Sequence, residues 1–373
     1  MATQPVRGQV PKLQALPAFA KVDYGIGIVG VGGVAGWGHL PAYRQYGFRV
    51  VAAAVPRPEA QEAVRQSWGI PKVYATYQEL LEDPEVEVVD VTVHHQTARQ
   101  HPKPGGSDYV RLDIVRDAVA AGKRGILVQK PMADTLERAR QMVEAVRGTK
   151  TKLAVNQNGR WGPGHYIAKQ LIDQGYVGEI QAIAIENVFP LPLVGLHMAM
   201  TVHHYDTIRY WMGREPTRIY ASLDPDKPLS ATMAILDFPR GARASVWDLL
   251  GGRLDVSSPS SDQGERFRIE GTGGTIKGTH RWSPMMPPDS VEFYSELGPN
   301  AWVRPVLDAV YPEAGFRGAM GDLMQAIADD REPTCSGEDN LKTLEVLFAA
   351  VRAAREGRVI QLWVGHRSDE ARS

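Results

Sequence analysis

The feature that most constrains this fold is a regular alternation of short apolar runs with helical stretches between residues 24 and 156. Most of the runs are rich in valine, isoleucine and alanine, which is typical of strands buried on both faces. Parallel neighbours in a sheet need a crossover between them, and a helix is its usual form. The alternation therefore predicts an α/β domain with a doubly wound parallel sheet and helices on both faces.

The alternation of strands and helices ends after Asn156. Beyond it, segments with a strand pattern follow one another and are joined by turns. The expected strands cover residues 180–188, 217–223, 231–238, 242–249, 267–276 and 290–294. Helical patterns then cover residues 316–328 and 340–356. We expect an α+β domain with a large open, mainly antiparallel sheet, whose last helices pack back toward the first domain. A chain of 373 residues is long enough for two domains.

The composition argues against several classes of protein. Lys plus Arg (42) nearly balances Asp plus Glu (43), so the chain has no basic field for a nucleic acid. No segment reaches the roughly 18 uninterrupted apolar residues of a bilayer span. Cys335 is the single cysteine, which excludes an intramolecular disulfide and fits a reducing compartment. Residues 1–20 have no secretory apolar run and are interpreted as a flexible arm, so we expect a cytoplasmic protein without nucleic-acid or membrane partners.

A glycine-rich loop follows the first apolar run. Gly30-Val31-Gly32-Gly33-Val34-Ala35 fits the G-x-G-x-x-A fingerprint between a strand and a helix. Its glycines permit a tight turn and a close approach to a pyrophosphate, which the amides at the helix start can bind. Such a match alone is often an ordinary turn, but the strand-helix-strand series around it favours a Rossmann domain that binds a dinucleotide. The expected cofactor contacts are Gly30, Gly32, Gly33, Val34 and Ala35.

The end of the second strand bears on which dinucleotide is bound. The fingerprint expects an acid there for the ribose hydroxyls, and this chain has Val55-Pro56-Arg57 instead. Arg57 could pair with a 2'-phosphate, and no carboxylate would repel that phosphate. The cofactor is therefore NAD or NADP, with NADP favoured; the alternative is that Arg57 is a solvated surface arginine.

Two further segments carry groups suited to hydride-transfer chemistry. Lys130, in Gln129-Lys130-Pro131, follows a buried strand at the carboxyl edge of the sheet, where it can polarise a substrate oxygen. His203 shares a predicted helix face with Asp206 and can accept a hydroxyl proton near neutral pH. The alternatives are a plain Lys-Pro loop and a surface histidine in a salt bridge.

A metal site is the other interpretation of the clustered histidines. They are His94, His95, His197, His203 and His204. No HExxH or paired CxxC spacing accompanies them, and hydride transfer to nicotinamide does not require a metal in every enzyme class. We expect no metal site.

These motifs together resemble the glucose-fructose oxidoreductase, inositol dehydrogenase and MocA (Gfo/Idh/MocA) family, from about Gly25 to Leu362. Further matching segments cover residues 156–161, 175–180, 316–320 and 336–340. The resemblance implies an N-terminal NAD(P)-binding Rossmann domain at 21–155 after the arm, and a C-terminal substrate-binding and oligomerisation domain at 156–373. It also implies a homodimer or homotetramer formed through the C-terminal sheet.

The resemblance assigns roles residue by residue. Lys130 matches the catalytic lysine of the family's Glu-Lys-Pro motif, with Gln129 in place of the glutamate, and His203 matches the catalytic histidine. The expected substrate contacts are Arg160, Trp161, Tyr166, His204 and Asp206. Beyond the glycine loop and Arg57, the expected cofactor contacts are His94, Gln129 and Lys130.

One position departs from the family pattern. Many relatives have an aspartate four residues before the catalytic histidine, and this chain has Ala199. His197, His204 or Asp206 could replace its effect on His203. Residues 94–108 also form a longer segment than the family's usual turn and could line the rim of the site.

Three functions fit these observations. The leading one is an NAD(P)-dependent oxidoreductase acting on a secondary hydroxyl or carbonyl of a sugar, cyclitol or related polyol. The second is a redox-neutral glycosidase that uses a retained NAD, since fold cannot separate these chemistries. The third is a non-catalytic dinucleotide-binding sensor or structural protein, which Ala199 favours and the retained Lys130 and His203 oppose.

Overall fold

The computed structural model describes residues 8–93, 110–189, 197–224, 231–250, 264–283 and 286–362. These residues group into two compact units. The parallel-sheet unit comprises the described residues of 16–161 and 312–341, and the mixed-sheet unit comprises those of 1–15, 162–311 and 342–373.

The parallel-sheet unit is built on six strands in the order β3-β2-β1-β4-β5-β6. Every pairing between neighbours is parallel, which confirms the predicted Rossmann sheet. The strands are β1 Ile26–Val29, β2 Val50–Ala54, β3 Lys72–Tyr74, β4 Val88–Val91, β5 Gly125–Gln129 and β6 Lys152–Asn156. The central strands β1, β4 and β5 are buried along their whole length, as expected for a sheet covered on both faces.

Helices connect these strands and cover the sheet. They are α1 Leu40–Tyr46, α2 Pro58–Trp68, α3 Tyr77–Glu82, α4 Val110–Ala120, α5 Leu136–Val146 and, later in the chain, α8 Glu313–Ala328. A turn of π-helix at Ala35–His39 precedes α1. There a Cβ on Gly38 would lie 2.4 Å from the Phe316 ring, so a glycine permits the close approach of α8.

Local sequence signals explain where two of the helices begin. The Thr-x-x-Glu spacing of Thr76 and Glu79 predicts a capping box at the start of α3, and the two residues do bond reciprocally. The same spacing in Asp134 and Glu137 predicts a second capping pair before α5, and the structure shows a different cap. Thr135 is the cap and accepts from the Arg138 amide, while Asp134 binds the Arg138 guanidinium at 2.9 Å.

The mixed-sheet unit contains an eight-stranded sheet in the order β13-β12-β11-β7-β10-β9-β8-β14. Only β7 and β10 pair in parallel, so the prediction of a mainly antiparallel sheet is confirmed. The strands are β7 Ile180–Phe189, β8 Arg218–Ser222, β9 Thr232–Asp237, β10 Arg243–Leu250, β11 Gly264–Gly271, β12 Gly274–His280, β13 Ser290–Ser295 and β14 Ile360–Gln361. The remaining helices are α6 Pro163–Asp173, α7 Val202–Met212 and α9 Gly337–Glu356, of which residues 337–341 belong to the parallel-sheet unit.

One expected strand is wrong in this unit. Residues 267–276 were expected to form a single strand, but the chain turns at Thr272 and Gly273, and β11 pairs with β12 as a hairpin. Phe267 and Ile269 are buried in β11 and Ile276 is buried in β12, so apolar residues lie on both sides of the turn. That distribution is why a single strand was expected.

The described part of the N-terminal arm, residues 8–20, forms neither helix nor strand. Gly8 donates to the Leu297 carbonyl at 2.8 Å, and the amide of Gln14 donates to the Gln170 side chain at 3.1 Å. Farther along, the Pro17 carbonyl accepts from Arg317 at 2.7 Å. Of the helices in the described ranges, none combines the length and apolar character that crossing a bilayer would need.

Candidate active site

The glycine loop begins where β1 ends at the middle of the parallel sheet. Gly30 has a φ of +90°, in the region that favours glycine, and its amide donates to the Ala54 carbonyl at 3.2 Å. A Cβ added at Gly32 or Gly33 would meet no described atom within 4 Å. The loop backbone therefore borders open space, which is the cradle that a pyrophosphate needs in this motif. Val34 and Ala35 follow, and Ala35 is fully buried.

The end of β2 has the features that the sequence predicted. Val55 is buried, and Arg57 is exposed at the N-cap position of α2. No acid stands between β2 and α2 up to that position. At the position where the fingerprint has a carboxylate for the ribose hydroxyls, this chain therefore has the cation of Arg57.

Lys130 directly follows β5, at the same carboxyl edge of the sheet as the glycine loop. Its amide donates to Oε1 of Gln129 at 2.8 Å, and its peptide bond to Pro131 is cis. The side chain is partly buried. Burial and the positive charge of Arg111 lower the pKa of Lys130 to about 8, so the amine titrates close to physiological pH.

Arg111 was not identified from the sequence, although it contacts the backbone on both sides of Lys130. It is fully buried in the first turn of α4. Its Nη1 donates to the carbonyl oxygens of Gln129 and Pro131 at 2.8 and 2.6 Å, and its Nε donates to the Val93 carbonyl at 2.6 Å. The available signal was its spacing of four and seven residues from Val115 and Ala118, which places it on the buried face of the helix.

A buried polar network lies on the other side of Gln129. Gln129 Nε2 lies 3.0 Å from Nε2 of His39, and Asn156 Nδ2 lies 3.2 Å from the same atom. His39 Nδ1 lies 2.7 Å from a carboxylate oxygen of Asp90, which also accepts from Tyr43 at 2.7 Å. Because Gln129 uses its oxygen for the Lys130 amide, its NH₂ donates to His39, and His39 must donate from Nδ1 to Asp90. The network therefore connects Lys130 to β4 and α1.

Arg160 and Trp161, two of the expected substrate contacts, lie in a short 3₁₀ turn at Asn158–Trp161. Arg160 donates to the Thr334 carbonyl at 2.9 Å and to an Asp339 carboxylate at 2.5 Å. Trp161 is 5% exposed, with its ring edge-on to Phe19. Their roles toward substrate stay a prediction.

His203 and Asp206 lie on α7 in the mixed-sheet unit, and both are buried. The His203 ring packs against Trp282 with centroids 4.7 Å apart and planes tilted by 35°. Asp206 accepts from Thr343 at 2.9 Å. Tyr166, on α6, is partly buried. Ala199 is partly buried in the π-helical turn His197–Thr201 that leads into α7, and that turn brings no aspartate toward His203.

His204 belongs to a buried ionic network. Its Nδ1 lies 2.9 Å from an Asp248 carboxylate, and its Nε2 lies 3.2 Å from Glu265. Glu265 also pairs with His165 at 2.6 Å and accepts from the Trp282 indole at 2.7 Å. Both nitrogens of His204 thus face protein carboxylates, so this geometry does not support the expected substrate contact.

The network shifts the pKa values of its members in opposite directions. Burial alone would lower the pKa of His204, but Asp248 and Glu265 raise it to about 10. Burial alone would raise the pKa of Glu265, but His165 and His204 hold it well below its ordinary value. His204 is therefore an imidazolium at neutral pH, and Glu265 is a carboxylate.

Three expected features lie outside the described residues. They are His94, the segment 94–108 and the side chain of His197.

Comparison with known proteins covers both units of the chain. Residues 24–157 match the family described as "Oxidoreductase family, NAD-binding Rossmann fold", and residues 166–277 match the Gfo/Idh/MocA C-terminal domain. A 1,5-anhydro-D-fructose reductase of Ensifer adhaerens is 25% identical, with 91% of this chain and 98% of the relative covered. An inositol 2-dehydrogenase of Rhizobium meliloti (strain 1021) is 27% identical, with 67% of this chain and 77% of the relative covered. The crystal structure of an aldose-aldose oxidoreductase from Caulobacter crescentus, complexed with glycerol, has a TM-score of 0.73 at 23% identity and covers 91% of this chain and 100% of that chain.

Proposed function

The chain belongs to the Gfo/Idh/MocA family of oxidoreductases with an NAD-binding Rossmann fold, and from this premise we propose that it transfers a hydride between a nicotinamide cofactor and a secondary hydroxyl or carbonyl of a sugar, cyclitol or related polyol. One observation carries the proposal. Lys130, whose pKa is lowered to about 8, lies at the carboxyl edge of β5, and the glycine loop lies at the same edge of β1, two strands away. Two strand spacings are about 10 Å, within the reach of a dinucleotide lying along that edge.

The residues present fit a dinucleotide. The open backbone at Gly32 and Gly33 would hold its pyrophosphate, with Val34 and Ala35 at the helix start. Exposed Arg57 would bind a 2'-phosphate, which supports NADP over NAD. Gln129 and Lys130 would border the nicotinamide end, and His94 completes the proposed contacts. When bound, the nicotinamide ring supplies or accepts the hydride.

Lys130 is proposed to bind and polarise the reacting oxygen. As an ammonium it donates a charge-assisted hydrogen bond, which stabilises negative charge that develops on an alkoxide. Partial burial strengthens this interaction because less water competes for the amine. The Gln129 side chain and Arg111 hold the backbone from which the amine projects.

His203 is proposed to exchange the hydroxyl proton. An imidazole can take that proton in the oxidation direction and return it in reduction. Trp282 holds the His203 ring by its face. Arg160, Trp161, Tyr166 and Asp206 are kept as proposed substrate contacts, as implied by the family resemblance.

The substrate class is inferred from the relatives. The anhydrofructose reductase and the inositol dehydrogenase are named for substrates that are polyhydroxylated rings. A polyol offers many hydroxyls, so positioning one carbon for hydride transfer needs several polar contacts. Arg160 and Asp206 are the two charged residues among the proposed contacts.

We also propose a cytoplasmic homodimer or homotetramer that associates through the mixed sheet. Its solvent-facing side carries Tyr220, Met233 and Ile235, which are 47, 51 and 50% exposed. Tyr220 and Ile235 are directly paired across β8 and β9, so the apolar surface is continuous. An exposed apolar patch of this kind favours self-association.

The test is a screen of sugars, cyclitols and polyols with NAD and with NADP, read by absorbance of the reduced cofactor. We expect turnover with at least one polyol and tighter binding of NADP. Tighter binding of NAD would remove the assignment of Arg57. Release of a leaving group from a chromogenic glycoside without net cofactor reduction would instead indicate the redox-neutral glycosidase. Cofactor binding without turnover on any substrate would indicate the non-catalytic sensor, which Ala199 favours.

A further inference from the structure

Arg111 is a buried cation that binds the main chain on both sides of Lys130. Its Nη1 reaches the carbonyl oxygens of Gln129 and Pro131, one residue before and one residue after the lysine. Its Nε reaches the Val93 carbonyl, two residues beyond the end of β4. One side chain thus links the chain segments that leave two neighbouring strands at the edge where ligands bind in this type of sheet.

The planar guanidinium explains why an arginine can do this. Its donors have a fixed geometry, so three bonds to three carbonyl groups fix the position of each of them. Two of these carbonyls belong to Gln129 and Pro131, the residues directly before and after Lys130. Movement of the guanidinium would therefore move the Cα from which the reactive amine projects.

We propose that Arg111 is a positioning residue for Lys130, holding the backbone around the lysine in the geometry that hydride transfer requires. This inference rests on the proposed function. Arg111 acts through Lys130 and needs no contact with substrate or cofactor. A displacement of about 1 Å of a reacting group can reduce turnover by roughly 100-fold.

The chain contains a matched control at the opposite edge of the sheet. Lys123 follows the other end of α4, is 7% exposed, and donates to the carbonyl oxygens of Asp83 and Val86 at 3.0 and 2.8 Å. It is also a buried cation on loop carbonyls beside β4 and β5. It lies at the amino edge, away from Lys130, so its loss should affect stability alone.

The experiment compares Arg111→Lys, Arg111→Gln and Lys123→Gln in the full-length protein. Arg111→Lys keeps the charge, but its donors lie on a single nitrogen and cannot reproduce the spacing between Nε and Nη1 of the guanidinium. We expect kcat to fall by roughly 10-fold to 100-fold in both Arg111 variants, while the dissociation constant of the cofactor changes by less than about 3-fold. Lys123→Gln should keep the wild-type kcat at a comparable loss of stability in urea unfolding.

A second measurement does not need turnover. The rate at which acetic anhydride labels Lys130, followed by peptide mass spectrometry across a pH series, reports the state of the amine in each variant. Arg111→Gln should raise the pH at which Lys130 becomes reactive, because a neighbouring positive charge is lost. Arg111→Lys should change this pH less, although kcat falls.

The outcomes separate this inference from the proposed function. Wild-type protein without turnover, but with Lys130 labelling shifted by Arg111→Gln, would overturn the function and leave only the electrostatic effect of Arg111 on Lys130. Unchanged kcat in Arg111→Lys would overturn the positioning role, as would equal losses of kcat in the Arg111 and Lys123 variants. If Arg111→Gln does not fold, the kcat of Arg111→Lys shows whether Arg111 positions Lys130.

Discussion

The two proposed catalytic residues lie beside buried charges of opposite sign. In the parallel-sheet unit, the charge next to Lys130 is the Arg111 guanidinium, which is bound by main-chain carbonyl oxygens. In the mixed-sheet unit, the His203 ring packs on Trp282, whose indole donates to the Glu265 carboxylate. Lys130 thus lies near the Arg111 cation, whereas the Trp282 ring lies between His203 and the Glu265 anion.

The difference has consequences for titration. Burial and Arg111 lower the pKa of Lys130 to about 8, so this group can change protonation under working conditions. The carboxylates around His204 raise its pKa to about 10, so that imidazolium keeps its charge. Around Lys130, the buried charge changes the pKa of the proposed catalytic group itself. Around His204, the buried charges form an ion network that stays charged at neutral pH and on which neighbouring residues pack. This contrast makes separate predictions for stability and for turnover.

Substitution of His204 should have the largest effect, on stability. His204→Gln removes the cation that two buried carboxylates share, and breaking a buried pair in this way costs about 3–5 kcal/mol. The raised folded-state pKa means that the stabilisation is complete below the unfolded value of about 6.5 and is lost as the pH rises toward about 10. The free energy of unfolding, measured in urea, should therefore differ less between wild type and His204→Gln as the pH rises.

A second buried histidine in the same unit is the control. His280 pairs with Asp289 at 2.7 Å, but burial and then His165 lower its pKa, so it gains no charge at neutral pH. Between about pH 6.5 and 10, the difference in free energy of unfolding between wild type and His280→Gln should not decrease in the same way. The same pH dependence in both variants would mean that His204 is not the charged centre of the network.

Substitution of Lys130 should have the next largest effect, on turnover. Lys130→Met removes a donor to the developing alkoxide, a loss that typically costs about 10²-fold to 10³-fold in kcat. Since Lys130 loses its proton as the pH rises through about 8, wild-type turnover that depends on the ammonium should fall above that pH. The residual activity of the variant should lack this decline. Steady-state kinetics across pH is the measurement.

Lys152 provides the comparison for this variant. It begins β6 in the same unit and pairs with the Asp330 and Glu332 carboxylates. Lys152→Met should keep both kcat and its pH profile. A Lys130→Met enzyme with unchanged turnover would remove the lysine from the mechanism.

The sequence was sufficient for the parts of the fold that depend on hydrophobic periodicity. The doubly wound parallel sheet, the mainly antiparallel second sheet and the helix that carries His203 were all predicted. The short edge strand β3 was not, because three residues are too few to show a hydrophobic period. The pattern failed at residues 267–276, where apolar residues lie on both sides of a hairpin turn. Alternation identifies the buried face of a strand but does not mark where the chain reverses.

The site was harder to predict than the fold. The glycine loop and Lys130 could be found because each has a fixed position relative to a strand. Arg111 and the ionic partners of His204 could not, because their contacts join residues far apart in the chain. His204 differs from His203 by one helix position, and only the structure reveals that Asp248 and Glu265 face its two nitrogens.

The smallest of these effects should come from Gln129, which connects Lys130 to the His39 network. Gln129→Leu removes the acceptor for the Lys130 amide and a donor to His39, at a cost of about 1–3 kcal/mol for each buried group left unsatisfied. Asn156→Leu removes a donor to the same His39 nitrogen without touching Lys130. Both variants should lose stability in urea unfolding, but only Gln129→Leu should also lose kcat. Equal kcat in the two variants would mean that the Gln129 contact stabilises the fold without positioning the lysine, and would leave Arg111 as the residue on which that geometry depends.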